Sequence, residues 1–381
     1  MRFLFKTDYE DDIRLFPHAG HVFSYGALLI LLAIAPFVLS SYMVSQLVFV
    51  CIYATVGVGL MILTGFTGQA SLGHAAFLAI GAYTAGYLQQ YNVPFPVYFL
   101  AAGLLTGIIG ALVGFPALRL QGIYLVIATI SFAFIVEEIL ARWESVTHGN
   151  EGMRVKTIQW LGTSVPRDSP AFYFLCLGVL VLTIVGTLNL LRSPTGRAWI
   201  AIRDSEIAAQ SMGVNLAIYK SMAFAYSAAL MGLAGALFAH KIAYLAPDIF
   251  TILLSIQFLL LVIVGGLGSL HGAVYGAIFV ALLPPVIAIL RDSIPDSMAD
   301  AASTTGIAAI GVVGELIGNF LKKPGVEAGI FGLILVLVIL LEPLGIYGRW
   351  LKIRLFFSTF PMYKSATFKR QKSYMRSERL R

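Results

Sequence analysis

Residues 192–213 read RSPTGRAWIAIRDSEIAAQSMG, a charged stretch that separates two long apolar runs. Its start, middle and end carry residues that typically begin or end helices. These are Ser193 or Thr195 beside Pro194, Asp204 or Ser205 before an Ala-rich turn, and Gly213. We therefore predict that the stretch is folded and forms a short element between two membrane-embedded halves.

The rest of the chain has the composition of a membrane protein. Hydrophobic residues make up 59% of the 381 residues, charged residues make up 12%, and the mean hydropathy is +0.86. Soluble domains average about 25% charged residues, and a helix needs about 20 apolar residues to cross the hydrocarbon. We predict an all-α polytopic membrane protein with ten crossings, near residues 24–40, 44–64, 74–91, 97–115, 123–141, 171–191, 217–241, 251–268, 272–290 and 327–345.

One further apolar stretch, residues 299–320, is interrupted by glycines and by Glu315. Non-helical backbone at membrane depth is tolerated only where it meets protein or water. The stretch is therefore a re-entrant, interfacial or broken helix, or an eleventh crossing. The surrounding region, residues 292–326, matches no function that the sequence suggests.

Lysine and arginine indicate the orientation, because cytoplasmic loops carry an excess of both. Ten of the 26 lie in Arg349–Arg381 and four in residues 192–220. With ten crossings, both termini and the 192–215 segment are predicted to be cytoplasmic. The predicted divisions are a cytoplasmic N-terminal segment (1–22), a transmembrane domain (23–345) and a basic cytoplasmic tail (346–381). We expect the tail to be attracted to anionic lipid, and we predict no nucleic-acid partner.

Several chemistries have no motif in this chain. It has no G-x-x-x-x-G-K-[ST] phosphate loop, so we do not expect the chain itself to hydrolyse ATP. It also has no H-E-x-x-H or G-x-S-x-G signature, so no catalytic residue is predicted. Cys51 and Cys176 fall within predicted crossings and are interpreted as apolar packing residues. No metal site, cofactor or cleavable signal peptide is expected.

Two glycine-rich segments interrupt the apolar pattern within the membrane. The first reads TGFTGQASLGH at residues 64–74, and the second reads GGLGSLHG at residues 265–272. Discontinuous helices in matching positions of two halves point to a translocation path. The polar residues predicted to line this path are Gln69, Ser71, His74, Ser269 and His271. The glycines predicted to act as hinges are Gly65, Gly68, Gly73, Gly265, Gly266 and Gly268.

Structural roles compete with these functional ones. Glycine lets membrane helices approach closely, so single glycines also fit a packing role. His74 and His271 are candidates for proton relays, and a hydrogen bond to a helix carbonyl is the structural alternative. Glu137 or Glu138 is predicted to pair with Arg142, four or five residues further on.

Four stretches together resemble the permease family of ABC importers for branched-chain amino acids, in particular its longer membrane subunit. They are spread over the central two thirds of the chain. They read LTGFTGQASLGHAAFLAIGAYTAGYL at 63–88, LRLQGIYLVIATISFAFIVEEI at 118–139, RSPTGRAWIAIRDSEIAAQSMGVN at 192–215, and YLAPDIF followed by VGGLGSLHGAVYGA through residue 277. The family also includes permeases for urea, short amides and other amino acids.

The resemblance implies a location in the inner (plasma) membrane of a bacterium, and a set of partners. These are a second related permease, two cytoplasmic subunits that bind the ATP, and a substrate-binding protein outside. In ABC importers a short cytoplasmic helix with an E-A-A…G pattern docks into a groove of the ATPase. The residues that the resemblance assigns to this coupling are Arg203, Asp204, Glu206, Ala208, Ala209 and Gly213, with Ile207 inserted after the glutamate. The charged ones are expected to form ion pairs at the rim of the contact.

The loop at residues 142–170, predicted to lie outside, departs from the family pattern of a T-G-G…G-L run. His148 stands in place of a glycine, so a backbone with positive φ is not expected there. Further along, Asp248 is predicted either to cap the eighth helix or to contact an external partner.

Two other classes of function stay open. A stand-alone transporter driven by protons or sodium would use His74, His271 or the Glu137–Glu138 pair as coupling groups. A membrane-embedded enzyme would need a cluster of catalytic residues, whereas only scattered ones are present.

Overall fold

The computed structural model describes residues 19–117, 120, 122–160, 163–305, 321, 323, 325–342 and 344–359. Within these residues the chain forms a bundle of long helices joined by short connections. The helices are α1 (Ala19–Val38), α2 (Ser41–Leu60), α3 (His74–Gln90), α4 (Phe95–Ala117), α5 (Ile123–Arg142), α6 (Glu144–Thr147), α7 (Pro170–Arg192), α8 (Pro194–Asp204), α9 (Glu206–Ser211), α10 (Leu216–Ile242), α11 (Ile252–Gly265), α12 (Leu270–Thr305), α13 (Val326–Leu341) and α14 (Gly345–Thr359). A π-helix (Met61–Phe66) continues α2, and two 3₁₀ turns occupy Gly149–Glu151 and Pro247–Phe250.

Four short strands lie at the end of the bundle that carries the 142–170 loop. β1 (Met153–Arg154) pairs antiparallel with β4 (Tyr244–Leu245), and β2 (Ile158–Trp160) pairs antiparallel with β3 (Thr163–Val165). The sequence analysis predicted no strand, because two- and three-residue strands carry no alternating pattern to detect. The bundle is nevertheless helical, as predicted.

Seven helices of the described residues are long and apolar enough to cross a bilayer, and a bent pair of helices would make an eighth. The bent pair consists of residues 329–341 and 345–357. The seven spans are Ser41–Phe66, Phe95–Pro116, Ile123–Arg142, Pro170–Arg192, Leu216–Ile242, Pro247–Gly265 and Leu270–Arg291. The structure therefore supports a multi-pass membrane protein.

The ten predicted crossings all overlap helices, but not all of these helices have the length of a span. The predicted crossings at 24–40 and 74–91 overlap α1 and α3. The apolar part of α1, Val22–Val38, is shorter than 18 residues, and α3 has 17 residues. Helix α3 is short because the chain is non-helical before His74. The total of ten crossings and the placement of both termini remain predictions.

Helices α2 and α10 form the centre of the bundle. Helix α10 packs against α4, α3 and α2, and α2 also packs against α12 and α7. Small residues permit these close approaches. A Cβ added at Gly232 of α10 would lie 2.5 Å from the carbonyl oxygen of Ala102 in α4. Cys51 and Cys176 are free and buried in this core, as the sequence predicted.

Parts of three predictions lie outside the described residues. These are most of the N-terminal segment (residues 1–18), most of the interrupted stretch (residues 306–320) and the end of the basic tail (residues 360–381). Helix α12 extends to Thr305 and so enters the 292–326 region.

Candidate functional site: the 192–215 segment and the glycine-rich breaks

The 192–215 segment forms two short helices, α8 and α9, at one end of the bundle. Ser205 separates them, and its Oγ accepts a hydrogen bond from the backbone N–H of Ala208 at 3.3 Å. This confirms the predicted second cap, whereas Ser193 precedes α8 without capping it through its side chain. Gly213 has φ +87° just beyond α9, as expected where a helix ends. Asn215 then caps α10.

Helix α8 is fixed to the bundle by its apolar face. Trp199 is fully buried, and its Nε1–H donates to the carbonyl oxygen of Tyr219 in α10 at 2.9 Å. Ala198 and Ile202 are buried beside it. A buried indole with its N–H satisfied is a rigid anchor. Trp199 therefore connects α8 directly to α10.

Helix α9, by contrast, presents apolar side chains to solvent. Ile207 is 83% exposed, and Met212, just after the helix, is 85% exposed. Of the two alanines in the E-A-A pattern, Ala208 is exposed and Ala209 is buried. Ile207 and Met212 are thus two large apolar side chains exposed within or directly after α9.

Glu206 is bound to this chain itself. Its Oε1 lies 2.7 Å from the Nζ of Lys220, whose side chain is almost fully buried at the start of α10. Lys220 provides this partner within the chain, because a buried ammonium requires a counter-charge. An ion pair of Glu206 at the rim of a contact with another protein stays a prediction.

Arg203 extends from the end of α8 to the first glycine-rich segment. Its Nη1 donates to the carbonyl oxygen of Gly65 at 3.2 Å, and its Cγ would lie 3.1 Å from a Cβ added at Gly68. The same Nη1 would lie 3.2 Å from a Cβ added at Gly268, in the second segment. Asp204 pairs with Arg203 at 3.2 Å on the exposed side. One arginine thus contacts both glycine-rich segments.

The two glycine-rich segments lie against each other, although about 200 residues separate them in sequence. The backbone N–H of Gly268 donates to the Sδ of Met61 at 3.2 Å. A Cβ added at Gly65 would lie 2.8 Å from the backbone nitrogen of Gly268. The structure therefore brings together the two breaks that the sequence singled out.

The six glycines predicted as hinges fall into two groups. Gly68, Gly266 and Gly268 have positive φ angles of +71°, +115° and +81°, a conformation that favours glycine. The other three, Gly65, Gly73 and Gly265, allow close contact with a neighbouring backbone. The first group fits a conformational role and the second a packing role, and hinge motion itself stays a prediction.

Two of the polar residues predicted to line the path have structural bonds within their own break. The Oγ of Ser71 accepts from the N–H of Gly73 at 3.3 Å, and the Oγ of Ser269 accepts from the N–H of Gly272 at 2.9 Å. Each serine therefore stabilises the turn that leads into the next helix. Gln69 is 5% exposed and lines a cavity beside the 192–215 segment.

Both histidines have side-chain partners. The Nε2 of His74 lies 3.0 Å from the Oγ of Ser227 in α10, within the buried core. The Nε2 of His271 lies 2.6 Å from the phenol oxygen of Tyr25, and its ring stacks on Tyr347. Each histidine thus has a hydroxyl partner, and a proton-relay role stays a prediction.

At the opposite end of the bundle, α5 carries the predicted ion pair between Glu138 and Arg142. These two residues and Glu137 line an open cleft of about 880 Å³. Asp248 lines the same cleft from the 3₁₀ turn that precedes α11. Thr251 occupies the N-cap position of α11, so Asp248 is not its cap.

His148 and Lys241 also lie at this end of the bundle. His148 has φ +59°, so the left-handed backbone that we did not expect without glycine is present there. The Nζ of Lys241, at the end of α10, binds the Oδ1 of Asp168 at 2.6 Å and the Oγ of Ser45 at 2.7 Å. The hydrogen bond from Lys241 lowers the pKa of Asp168 below its ordinary value of 3.8.

No group of three or more His, Cys, Asp or Glu arranged to hold a metal occurs among the described residues.

A comparison with models of known protein families shows the family to which this chain belongs. The family model described as "Branched-chain amino acid transport system / permease component" matches residues 42–339. This chain belongs to that permease family. The match includes both glycine-rich segments and the whole 192–215 segment, so the geometry above is that of a family member.

Two relatives carry the same name, high-affinity branched-chain amino acid transport system permease protein LivM. The one from Escherichia coli (strain K12) is 35% identical over 280 residues, which is 67% of this chain and 66% of the relative. The one from Salmonella typhimurium (strain LT2) is 35% identical over 267 residues, or 64% of this chain and 63% of the relative. The matched region thus spans slightly less than two thirds of either relative. No solved structure matches this chain.

Sequence analysis of this permease missed Lys220 and Trp199. Lys220 enters the sequence analysis only as one of the four basic residues of the 192–220 region, within the predicted crossing 217–241. A lysine followed by a long apolar run is a signal for a buried counter-charge, but the partner is not predictable from spacing.

Proposed function

We propose that this chain is a membrane-spanning subunit of an ATP-driven importer of branched-chain or related amino acids. It forms the translocation path with a second related permease. ATP is bound and hydrolysed by two separate cytoplasmic subunits, and an external binding protein delivers the substrate. The assembly operates in the inner membrane of a bacterium.

The observation that carries this proposal is the two-sided character of the 192–215 segment. One side is bound to the bundle through the buried Trp199 and through Arg203. The other side exposes Ile207 and Met212. A segment held firmly on the membrane side and apolar on the solvent side is suited to receive a movement from a docked ATPase and pass it on.

The site residues retain distinct roles in this proposal. Ala208, exposed on α9, contacts the ATPase, while Ala209 packs inward and Gly213 ends the helix. Arg203 connects α8 to both glycine-rich breaks. Movement of α8 therefore changes the relation between the two breaks, and through them the helices that line the path.

Ala208→Trp tests this role, because its side chain is exposed and the substitution leaves the core intact. The transporter is reconstituted in vesicles with its second permease, ATPases and binding protein. We expect leucine uptake and substrate-stimulated ATP hydrolysis to fall at least about tenfold, whereas Ser211→Ala, at the end of α9, retains both. Full coupling in Ala208→Trp would place the docking surface elsewhere.

The same vesicles separate the other candidate functions. Uptake of urea or a short amide in preference to leucine would assign the chain to that branch of the family. Ion-driven uptake by the chain without ATPases or binding protein would support a stand-alone transporter and overturn the proposal.

A further inference from the structure

The last helix of the described residues, α14, directly follows an apolar helix. Helix α13 (Val326–Leu341) and helix α14 (Gly345–Thr359) are separated by three residues, and the chain bends by 44° between them. The 16 residues of α13 extend over about 24 Å, which is most of the hydrocarbon thickness of a bilayer. Helix α14 therefore begins near one surface of the membrane.

Most of α14 is exposed. Every side chain from Arg349 to Phe357 is exposed, and six of them are large and apolar: Trp350, Leu351, Ile353, Leu355, Phe356 and Phe357. A run of exposed apolar side chains is unfavourable in water and marks a surface that contacts a partner or a membrane. Tryptophan is also enriched at the interface between a membrane and water.

The remaining three side chains of this run are basic. Arg349 and Lys352 both pair with Glu342, which precedes the helix and has a side chain that is 16% exposed. Arg354 belongs to none of the ion pairs of the described residues. In the sequence, residues 360–381 add seven lysines or arginines and one glutamate. The helix and the sequence after it thus carry a net positive charge, which is complementary to anionic lipid.

The first turn of α14 packs against the second glycine-rich segment. Gly345 has φ +71°, and a Cβ added there would lie 2.6 Å from the Cα of Gly266. A Cβ added at Gly266 would lie 3.3 Å from the Cβ of Tyr347. The ring of Tyr347 stacks on that of His271, with 5.6 Å between the centroids and 7° between the planes. Helix α14 and Arg203 therefore contact the same break, at the end of the bundle that carries the 192–215 segment.

We propose that α14 lies along the membrane surface at this end of the bundle and binds anionic lipid there. The six apolar side chains enter the boundary between the headgroups and the acyl chains. Arg349, Lys352 and Arg354 extend to the lipid phosphates, since long basic side chains bury their stems and keep their charges at the surface. Lipid is favoured over a docked protein as the occupant, because α14 follows α13 directly and stays beside the bilayer.

The contact with the second break gives the bound lipid a regulatory consequence, which rests on the proposed function. Anionic lipid holds α14, and the packing of Gly345 and Tyr347 extends this constraint to Gly266 and His271. Lipid therefore favours the arrangement of the break in this structure. A break held on this side transmits the movement of Arg203 to the helices instead of yielding to it. We expect anionic lipid to raise the number of substrate molecules imported per ATP.

Phe357→Cys tests the membrane contact directly. Phe357 is 73% exposed and both native cysteines are buried, so a thiol-reactive fluorophore labels the introduced residue alone. The full chain is placed in nanodiscs that contain nitroxide-labelled lipid. The bulk lipid is phosphatidylcholine, alone or mixed equally with phosphatidylglycerol. We expect quenching in the anionic nanodiscs, and a ratio of quenched to unquenched label at least about fivefold lower in the neutral ones.

Met212→Cys is the matched control for this label. Met212 is 85% exposed at the same end of the bundle, but it belongs to the 192–215 segment and not to α14. We expect its label to be quenched much less in either lipid. Equal quenching at the two positions, or no quenching at position 357, would overturn the proposal. Shielding of position 357 only after the ATPases are added would place a protein on this helix instead.

Arg354→Glu tests the charge and leaves the pairs of Glu342 intact. In anionic nanodiscs we expect this reversal to lower the ratio of quenched to unquenched label at position 357 at least about tenfold. High salt is expected to weaken the native contact, because it screens exposed charges. Arg154→Glu, exposed at the opposite end of the bundle, is the control and is expected to retain the contact. Unchanged quenching in Arg354→Glu would contradict binding to anionic lipid.

Variants of Tyr347 test the connection between the lipid and the break. The complete importer is reconstituted in vesicles of the two lipid compositions, and leucine uptake per ATP hydrolysed is measured. We expect phosphatidylglycerol to raise this ratio in the native chain and in Tyr347→Phe, which keeps the stacked ring. Tyr347→Leu is expected to keep the quenching at position 357 and to lose the lipid dependence. Equal ratios of the native importer in both lipids, or an unchanged lipid dependence in Tyr347→Leu, would overturn the regulatory consequence.

The outcomes for the lipid contact and for the proposed function are separable, because quenching is measured on the chain alone. Quenching at position 357, in an assembly that shows no ATP-linked uptake, would leave the lipid contact and refute only the function. ATP-linked uptake without quenching would refute only the lipid contact.

Discussion

The Nη1 of Arg203 donates a hydrogen bond to the carbonyl oxygen of Gly65 across 138 residues of sequence, at a distance of 3.2 Å. Gly65 lies next to the end of the π-helical extension of α2, and Arg203 lies next to the end of α8. The bond connects the charged 192–215 segment to a break within the membrane bundle. It gives the 192–215 segment a direct mechanical link to the glycine-rich breaks.

Arg203→Ala is expected to uncouple ATP hydrolysis from transport. A hydrogen bond to a charged group contributes about 1.5–3 kcal/mol, which corresponds to about a tenfold or greater change in an equilibrium. Uptake per ATP hydrolysed in reconstituted vesicles measures the effect. Asp204→Ala is the control, because its pair with Arg203 is exposed and contributes little. Normal coupling in Arg203→Ala would exclude this link.

The ion pair between Glu206 and Lys220 predicts an asymmetric response to substitution. Glu206→Gln leaves the buried ammonium without a counter-charge, at a cost of about 3–5 kcal/mol. Lys220→Met leaves a carboxylate that is 26% exposed and so partly hydrated, and its cost is smaller. The double variant is expected to recover most of the loss. Thermal unfolding in nanodiscs compares the stability of the native chain, the two single variants and the double variant. A larger loss of stability in Lys220→Met than in Glu206→Gln would contradict the burial of Lys220.

Gly68→Ala is expected to destabilise the first break. At its φ of +71°, a residue with a Cβ is about 1–2 kcal/mol less stable than glycine. The added methyl group also contacts Arg203. Gly178→Ala in α7 is the matched control, because nothing lies within 4 Å of the added Cβ. A melting temperature several degrees lower in the first variant alone is the expected result. Equal melting of both variants would argue against a requirement for glycine at position 68.

The contact between Lys241 and Asp168 predicts a dependence of stability on pH. The hydrogen bond from Lys241 lowers the pKa of Asp168 below 3.8, so the contact stabilises the fold above about pH 4. The stabilisation is lost as the pH falls through the lowered pKa. Because the Asp168 side chain is 64% exposed, the stabilisation from this contact is about 1 kcal/mol at most. The melting temperatures of the native chain and of Asp168→Asn should converge as the pH falls from 7 to 3. A constant difference between them would contradict the lowered pKa of Asp168.

The sequence by itself determined the class of molecule and the position of its unusual segments. Apolar runs near the length of a bilayer predict membrane helices, because a helix satisfies its backbone hydrogen bonds within one segment. Ser205 and Gly213 predicted the limits of α9, since capping is a local property of a few consecutive residues. The family resemblance also rests on local motifs.

Tertiary structure alone decided what those segments contact. Nothing in the spacing of residues 64–74 and 265–272 predicts that Gly65 lies against Gly268, or that Arg203 touches both. The pairing of Glu206 with Lys220 depends on the angle between α9 and α10, which packing sets. Periodicity and capping act over a few residues, whereas the contact between Gly65 and Gly268 joins positions about 200 residues apart. They arise only when the complete bundle is packed.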